Sequence, residues 1–455
     1  MSRDRTRPLV LRGAMIVSMD DAIGDFPCAD LLVEGAQIAA IAPVIPVEDA
    51  EVNDMRGRIL IPGLVNAHMH TWQTGLRGLA ADWTLPQYLR LMHAGLAQRF
   101  TPDDIGIATL VGAYNQINCG TTTLADWCHN NPTPAHTDAA VAALAEARVR
   151  AVFLHGSPKP DPAPGQPHFS EIPHPRGEVA RLARGPLGNL DNRVTLALAV
   201  LGPHYSTLDV ALRDLRLARE FNIIASMHQG GGPEKAPGGW EALDDANLLG
   251  PWINVVHGND LNDERLARLV ARGVSFSAAP AGEMTQGHGF PIVGLLRRLG
   301  AAPSLGVDLE ALVSGDMFSA AGVALGMQRA LDNAESRREQ GEIPPTSTVP
   351  AREALSWITI QGAKAFGLEN RIGSLTPGKK ADVVVLDARQ LNMQPVHDPL
   401  ASVVTQACIA NVEAVMIAGE WRKQDGRLLV DGMQSKIDAL RASGQRIARS
   451  MGLQK

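Results

Sequence analysis

Short apolar runs alternate with amphipathic stretches through the middle of the chain. Runs at 64–68, 121–126, 149–155, 194–201, 222–228, 252–257, 273–278 and 303–307 predict buried strands. Between them, 103–117, 137–147, 207–220, 262–272 and 314–331 carry apolar residues at helical spacing. Thr101-Pro102-Asp103-Asp104 and Ser206-Thr207 signal helix starts. Eight strand–helix units in series predict an α/β fold, a closed (β/α)8 TIM-like barrel over 62–368, rather than an open sheet. One further helix is predicted over 353–366. No short internal sequence repeat is visible, so the repetition is structural only.

The two ends read differently. Residues 8–20 and 31–43 are short β segments with turns at Gly13 and Gly35. The same texture returns at 372–387 and at 412–430, where Gly419 and Gly426 mark turns. Two β-rich ends around a different middle predict a small composite β-sandwich domain built from both termini, residues 1–61 plus 369–455. Two stretches predict long loops. Residues 156–175 hold seven prolines and follow the third barrel strand; residues 333–350 are charged and then proline-rich. The first leaves the end of a strand where a lid, an oligomer contact or a mobile insertion can form.

Polar residues close the predicted strands. Leu60-Ile-Pro-Gly-Leu-Val-Asn-Ala-His68-Met69-His70 is an apolar run ending in two histidines two residues apart. On a strand these point the same way, so two imidazoles at its C-terminal end can grip one metal ion. The second strand ends in Asp126 and Trp127, the third in His155, the fourth in His204 and Tyr205. The fifth ends in His228, the sixth in His257 and the eighth in Asp308; the seventh leads into a loop carrying Glu283. Active sites of such barrels lie at the strand C-termini. His93, His129, His136, His168, His174 and His397 lie away from strand ends and receive no role.

Composition narrows the class. The chain has 455 residues, 45% hydrophobic and 20% charged, with a net charge of −6, which gives no footprint for nucleic acid or an anionic membrane. No apolar run approaches a membrane span. The N-terminus lacks the apolar core of a signal peptide. Its four cysteines show no metal or disulfide spacing, as expected of reduced thiols in a cytoplasmic protein.

Several segments together resemble the amidohydrolase superfamily, in its cytosine deaminase and triazine hydrolase branch. They are Pro62-Gly-Leu-Val-Asn-Ala-His-Met-His70, Gly120-Thr-Thr-Thr123, Met227-His228, Val256-His-Gly258, Gly306-Val-Asp308 and Gly373-Ser-Leu-Thr-Pro-Gly-Lys-Lys-Ala-Asp382. The resemblance spans nearly the whole chain. It implies that His68, His70, His228 and Asp308 bind one divalent metal and that His257 stands beside the activated water. Three nitrogens and one carboxylate suit zinc; iron, cobalt and manganese are compatible by ligand type. Other branches bridge two metals with a carboxylated lysine on the fourth strand. Residues 194–204 contain no lysine, which points to one metal.

The sequence departs from that branch at one place. Its deaminases carry His-x-x-Glu at the fifth strand, and the glutamate protonates a ring nitrogen. Here Gly231 stands at the glutamate's position. Glu283, or more remotely Glu234, is then a candidate displaced acid/base, the alternative for Glu283 being a solvated loop carboxylate. Gln73, Trp83, Trp127, His155, His204, Tyr205 and His288 are candidates for substrate binding. The expected function is hydrolysis of a non-peptide carbon–nitrogen bond in a small amide, carbamate, urea or thiocarbamate. The alternative is a deaminase or chlorohydrolase acting on a nitrogen heterocycle, and a non-catalytic member comes third. A homo-oligomer is expected, with a small molecule as substrate and neither nucleic acid nor membrane as partner.

Overall fold

A computed structural model describes residues 7–453. The chain gathers into two compact units. One comprises the residues up to Ala67 with Asn115–Thr123 and Asp316–Asp431; the other comprises His68–Tyr114, Leu124–Gly315 and the residues from Gly432 onward.

The first unit contains a nine-stranded sheet drawn from both ends of the chain. Arg58–Pro62 pairs antiparallel with Val383–Asp387, and this pair stitches the N-terminal strands to the C-terminal ones. Alternate residues of these strands point inward, as the twofold repeat of a strand requires. Leu9, Leu11, Leu31, Val33, Leu60, Val383, Val385 and Met416 thereby share one buried core. The helix expected over 353–366 is two helices, Ala351–Trp357 and Ile360–Ala365. Thr359 breaks it with a backbone of φ −134°, ψ −98° while its hydroxyl donates back to the Leu355 carbonyl. The segment expected as a loop from 333 is helical as far as Gln340, in Met317–Gln340.

The barrel strands are Leu64–Met69, Thr121–Cys128, Arg150–Gly156, Val194–Val200, Ala225–Gln229, Ile253–His257, Ser275–Ala278 and Ser304–Leu305. They stand side by side in sequence order. A parallel bridge between Met69 and Asp308 joins the last strand's end to the first. Closure depends on Gly306. A Cβ there would lie 2.4 Å from the His68 carbonyl oxygen, so only glycine lets the eighth strand's end approach this closely. Strands buried on both faces explain the unbroken apolar runs in the sequence.

The C-terminal helix Met433–Arg449 falls with the barrel unit, although the sequence placed residues 369–455 with the terminal sheet. Leu440, Ile447 and Ala448 form its buried face. Lys436 pairs with Glu146 at 2.7 Å, and the Ser443 hydroxyl donates to Asp104 at 2.6 Å. Among the described residues no helix is long and apolar enough to cross a membrane.

Candidate active site

The first barrel strand ends in His68 and His70, both buried. His68 Nε2 and His70 Nε2 each lie 3.2 Å from Asp308 Oδ1, and His228 Nε2 lies 3.3 Å from His68 Nε2. These side chains come from the first, fifth and eighth strand ends. Ligand atoms of His68, His70 and His228 lie within 4.8 Å of one another, and so do those of His68, His257 and Asp308. Imidazole nitrogens and a carboxylate gathered at such spacing are donors that suit a divalent cation.

Their surroundings fix the ligand atoms. The His70 Nδ1–H donates to the Trp127 carbonyl at 2.6 Å, leaving Nε2 for the cluster. Asp126 holds the turn that follows: its Oδ1 accepts from the Thr71 amide at 3.1 Å and hydroxyl at 2.8 Å. Burial lowers His68 to a pKa of about 3 and His228 well below its ordinary value, keeping both imidazoles neutral as ligation requires. Burial alone would raise the Asp308 carboxyl. The contacts of the His68 and His70 imidazoles outweigh it and hold Asp308 well below the usual carboxylate range.

His257 closes the cluster's other side. Its backbone and that of Asp308 both lie in the left-handed region, with φ of 69° and 66°. Side-chain-bearing residues seldom adopt this conformation, which costs on the order of 1–3 kcal/mol and clusters at functional sites. His257 Nδ1 lies 3.0 Å from Glu283 Oε1. Burial disfavours a charged His257, but Glu283 and Asp308 outweigh it and raise its pKa.

Glu283 is fully buried, so it is not the solvated loop carboxylate that was its alternative. Its Oε1 also accepts from the Ala279 amide at 2.7 Å and its Oε2 from Asn259 at 3.2 Å. It backs His257 and does not line the cavity. Glu234 pairs with Arg265 at 2.8 Å and is likewise committed elsewhere.

A cavity of about 30 Å³ adjoins the cluster, lined by His70, His228, His257, Asp308, Leu85, Tyr88, Leu89, His93, His129, Lys159, Tyr205, Gln286 and His288. Of the expected substrate contacts it includes Tyr205 and His288. The others stand apart. Gln73 is one layer back, donating to the Tyr88 hydroxyl at 2.6 Å. Trp127 supports His70 with its carbonyl, stacks edge-on against His228 at 4.3 Å and donates to Ser226 at 3.1 Å. His155 pairs with His174 at 2.9 Å, and His204 with Gln229 at 3.2 Å. Trp83 lines a different groove, with Arg441 and Gly444 of the C-terminal helix.

His93 and His129, which no strand-end pattern in the sequence marks, both line this cavity. The Trp72 indole donates to His129 Nδ1 at 3.1 Å, so His129 Nε2 carries the proton and meets His93 Nε2 at 3.2 Å. Lys159, Leu85, Tyr88, Leu89 and Gln286 line it too and carry no signal in the sequence. His129 follows the second strand's last residue, so reading that strand two residues further would have found it.

At Gly231 the backbone has φ 97°, and a Cβ would meet Leu85 Cδ2 at 2.3 Å. The space that a side chain at position 231 would enter is filled here by leucine.

A parallel barrel carrying a His/Asp cluster at its strand C-termini defines a barrel hydrolase. The chain belongs to the Amidohydrolase family, whose model matches residues 59–422. This is a family of metal-dependent enzymes, and the chain is a hydrolase of carbon–nitrogen bonds other than peptide bonds. It is 26% identical to a 5-methylthioadenosine/S-adenosylhomocysteine deaminase of Symbiobacterium thermophilum, over 97% of this chain and 99% of the relative. It is 29% identical to a 5'-deoxyadenosine deaminase of Methanothermobacter thermautotrophicus, over 88% and 90%. Among solved structures, its fold is similar to an adenosine deaminase from Xanthomonas campestris with bound zinc (TM-score 0.81, 23% identity, 97% and 98% covered). It is also similar to the atrazine chlorohydrolase of Arthrobacter aurescens complexed with zinc (TM-score 0.84, 19% identity, 96% and 100% covered).

Proposed function

We propose that the chain hydrolyses a carbon–nitrogen bond at a carbon already polarised by a carbonyl, in a small amide, carbamate, urea or thiocarbamate. The observation that carries this reading is the cavity's chemistry at Gly231. Leu85 fills the space of a ring-protonating acid, and Asp308 is the one carboxylate lining the cavity among the described residues. A carbonyl substrate needs no ring protonation.

His68, His70, His228 and Asp308 would hold one divalent cation, which we take to be zinc. When bound, the cation supplies Lewis acidity that lowers the pKa of a water toward about 7 and polarises the bond under attack. Asp308 takes the proton of the attacking water and delivers it to the departing nitrogen as the carbon–nitrogen bond breaks. His257 is fixed by Glu283 through Nδ1, so Nε2 is left to orient the water. Burial in a cavity of about 30 Å³ excludes other solvent.

A second reading, deamination of a purine nucleoside, is favoured by the relatives' activities. Ammonia, amine and carboxylate release from open-chain amides, carbamates and ureas, measured beside adenosine, 5'-methylthioadenosine and triazines, separates the two. Faster turnover of the heterocycles would overturn our order. We further place the enzyme in the cytoplasm as a homo-oligomer; light scattering on the purified protein tests the second point.

A further inference from the structure

Lys159 is a buried cation with no counter-ion. It stands between Pro158 and Pro160 in the connection after the third barrel strand and is 8% exposed. No carboxylate among the described residues pairs with it. Its ammonium lies instead 4.6 Å from the Tyr205 ring centroid and 6.0 Å from that of Trp127. Such contacts return less than burying an isolated charge costs. Burial accordingly pulls its pKa down to about 8, against the opposing pull of Asp308.

The position of Lys159 says what it awaits. The cavity beside the His/Asp cluster adjoins an outer one of about 400 Å³, and Leu89, His93, Lys159 and Tyr205 line both. A ligand reacting in the inner cavity with its body in the outer one passes the ammonium. Asp308 is not available as partner, being engaged by His68 and His70 at 3.2 Å each. A divalent cation in the cluster would enlarge the positive surplus. A compact ammonium suits a carboxylate as a point charge.

We propose that Lys159 recognises a carboxylate carried by the substrate next to the scissile carbon–nitrogen bond. The substrate class is then an N-carbamoyl or N-acyl amino acid. Which bond is cut rests on the hydrolase reading above; anion recognition does not.

The test compares N-carbamoylglycine with its neutral C-terminal amide on the metal-loaded enzyme and the Lys159→Met and Lys159→Arg variants. Two readouts are taken, hydrolysis and calorimetric binding. In the parent enzyme the acid is preferred by about tenfold to hundredfold, the size of a charge-assisted contact. Lys159→Met brings the acid-to-amide ratio toward one, chiefly through KM, and Lys159→Arg keeps part of it. A ratio that survives Lys159→Met, or a parent enzyme that favours the amide, overturns the inference while leaving the hydrolase reading intact. If neither compound is hydrolysed, calorimetry decides. Binding of N-carbamoylglycine at least tenfold weaker in Lys159→Met supports recognition; equal binding, or none to the parent enzyme, overturns it.

Discussion

The Glu283 carboxylate lies 3.0 Å from Nδ1 of His257, and this contact makes a residue of the short helix Pro280–Gln286 the buried support of an active-site imidazole. Burial pushes the His257 pKa down, but Glu283 and Asp308 outweigh it. Replacing Glu283 by Gln removes one of those charges and lowers the His257 pKa. Whichever protonation state the reaction uses, the limb of the pH–rate profile governed by His257 moves to lower pH. Activity is expected to fall by about tenfold to hundredfold, as for other residues supporting a site from behind. Steady-state pH profiles of Glu283→Gln check both; an unmoved profile would separate His257 titration from Glu283.

Asp308 is expected to carry the proton between water and leaving group. Asp308→Asn should reduce turnover by at least about a thousandfold, within the range of lost acid–base catalysis. The barrel should remain closed, because the bonds from the Asp308 amide to His68 and from the His70 amide to the Asp308 carbonyl are backbone contacts. Single-turnover kinetics beside circular dichroism test this; near-normal rates would be incompatible with the proposed role.

Leu85 lies against Gly231 and lines the inner cavity. Leu85→Ala should widen that cavity and raise kcat/KM for bulkier amides relative to small ones, by roughly tenfold per accommodated group. A competition assay with substrates of graded size reads the change. Unaltered size preference would show that Leu85 does not bound the substrate.

Asp214 is buried and accepts the His174 amide at 2.8 Å; burial raises its pKa from 3.8 to about 7. Between those values the folded chain keeps a proton that the unfolded chain releases. Stability therefore falls as pH rises through that window, by up to roughly 4 kcal/mol. Asp214→Asn, which preserves the acceptor, should gain stability relative to the parent between pH 5 and pH 8. Denaturant melts at the two pH values measure this, and a constant difference would contradict it.

Much of this site was legible because a buried strand announces itself. Unbroken apolar runs ending in His68, His228, His257 or Asp308 mark strand termini, and a parallel barrel brings those termini to one mouth. The illegible part depends on where loops turn. Glu283 reads equally as a displaced acid/base or a solvated loop carboxylate until the chain beyond the seventh strand folds it under His257. Lys159 hides in a proline-rich stretch whose path no periodicity reveals. His155 and His204 do end strands or follow them closely, yet His174 and Gln229 engage them away from the cavity. Trp83 likewise belongs to the groove by the C-terminal helix, which amphipathic pattern alone does not assign to a unit.

The most direct test of the central claim is elemental analysis coupled to activity, before and after chelation, in the parent protein and in His228→Ala. One divalent ion per chain is expected in the parent, with activity lost on chelation and restored by adding the metal back, and loss of both ion and activity in His228→Ala. A chelated, metal-free protein that retains full activity would contradict it.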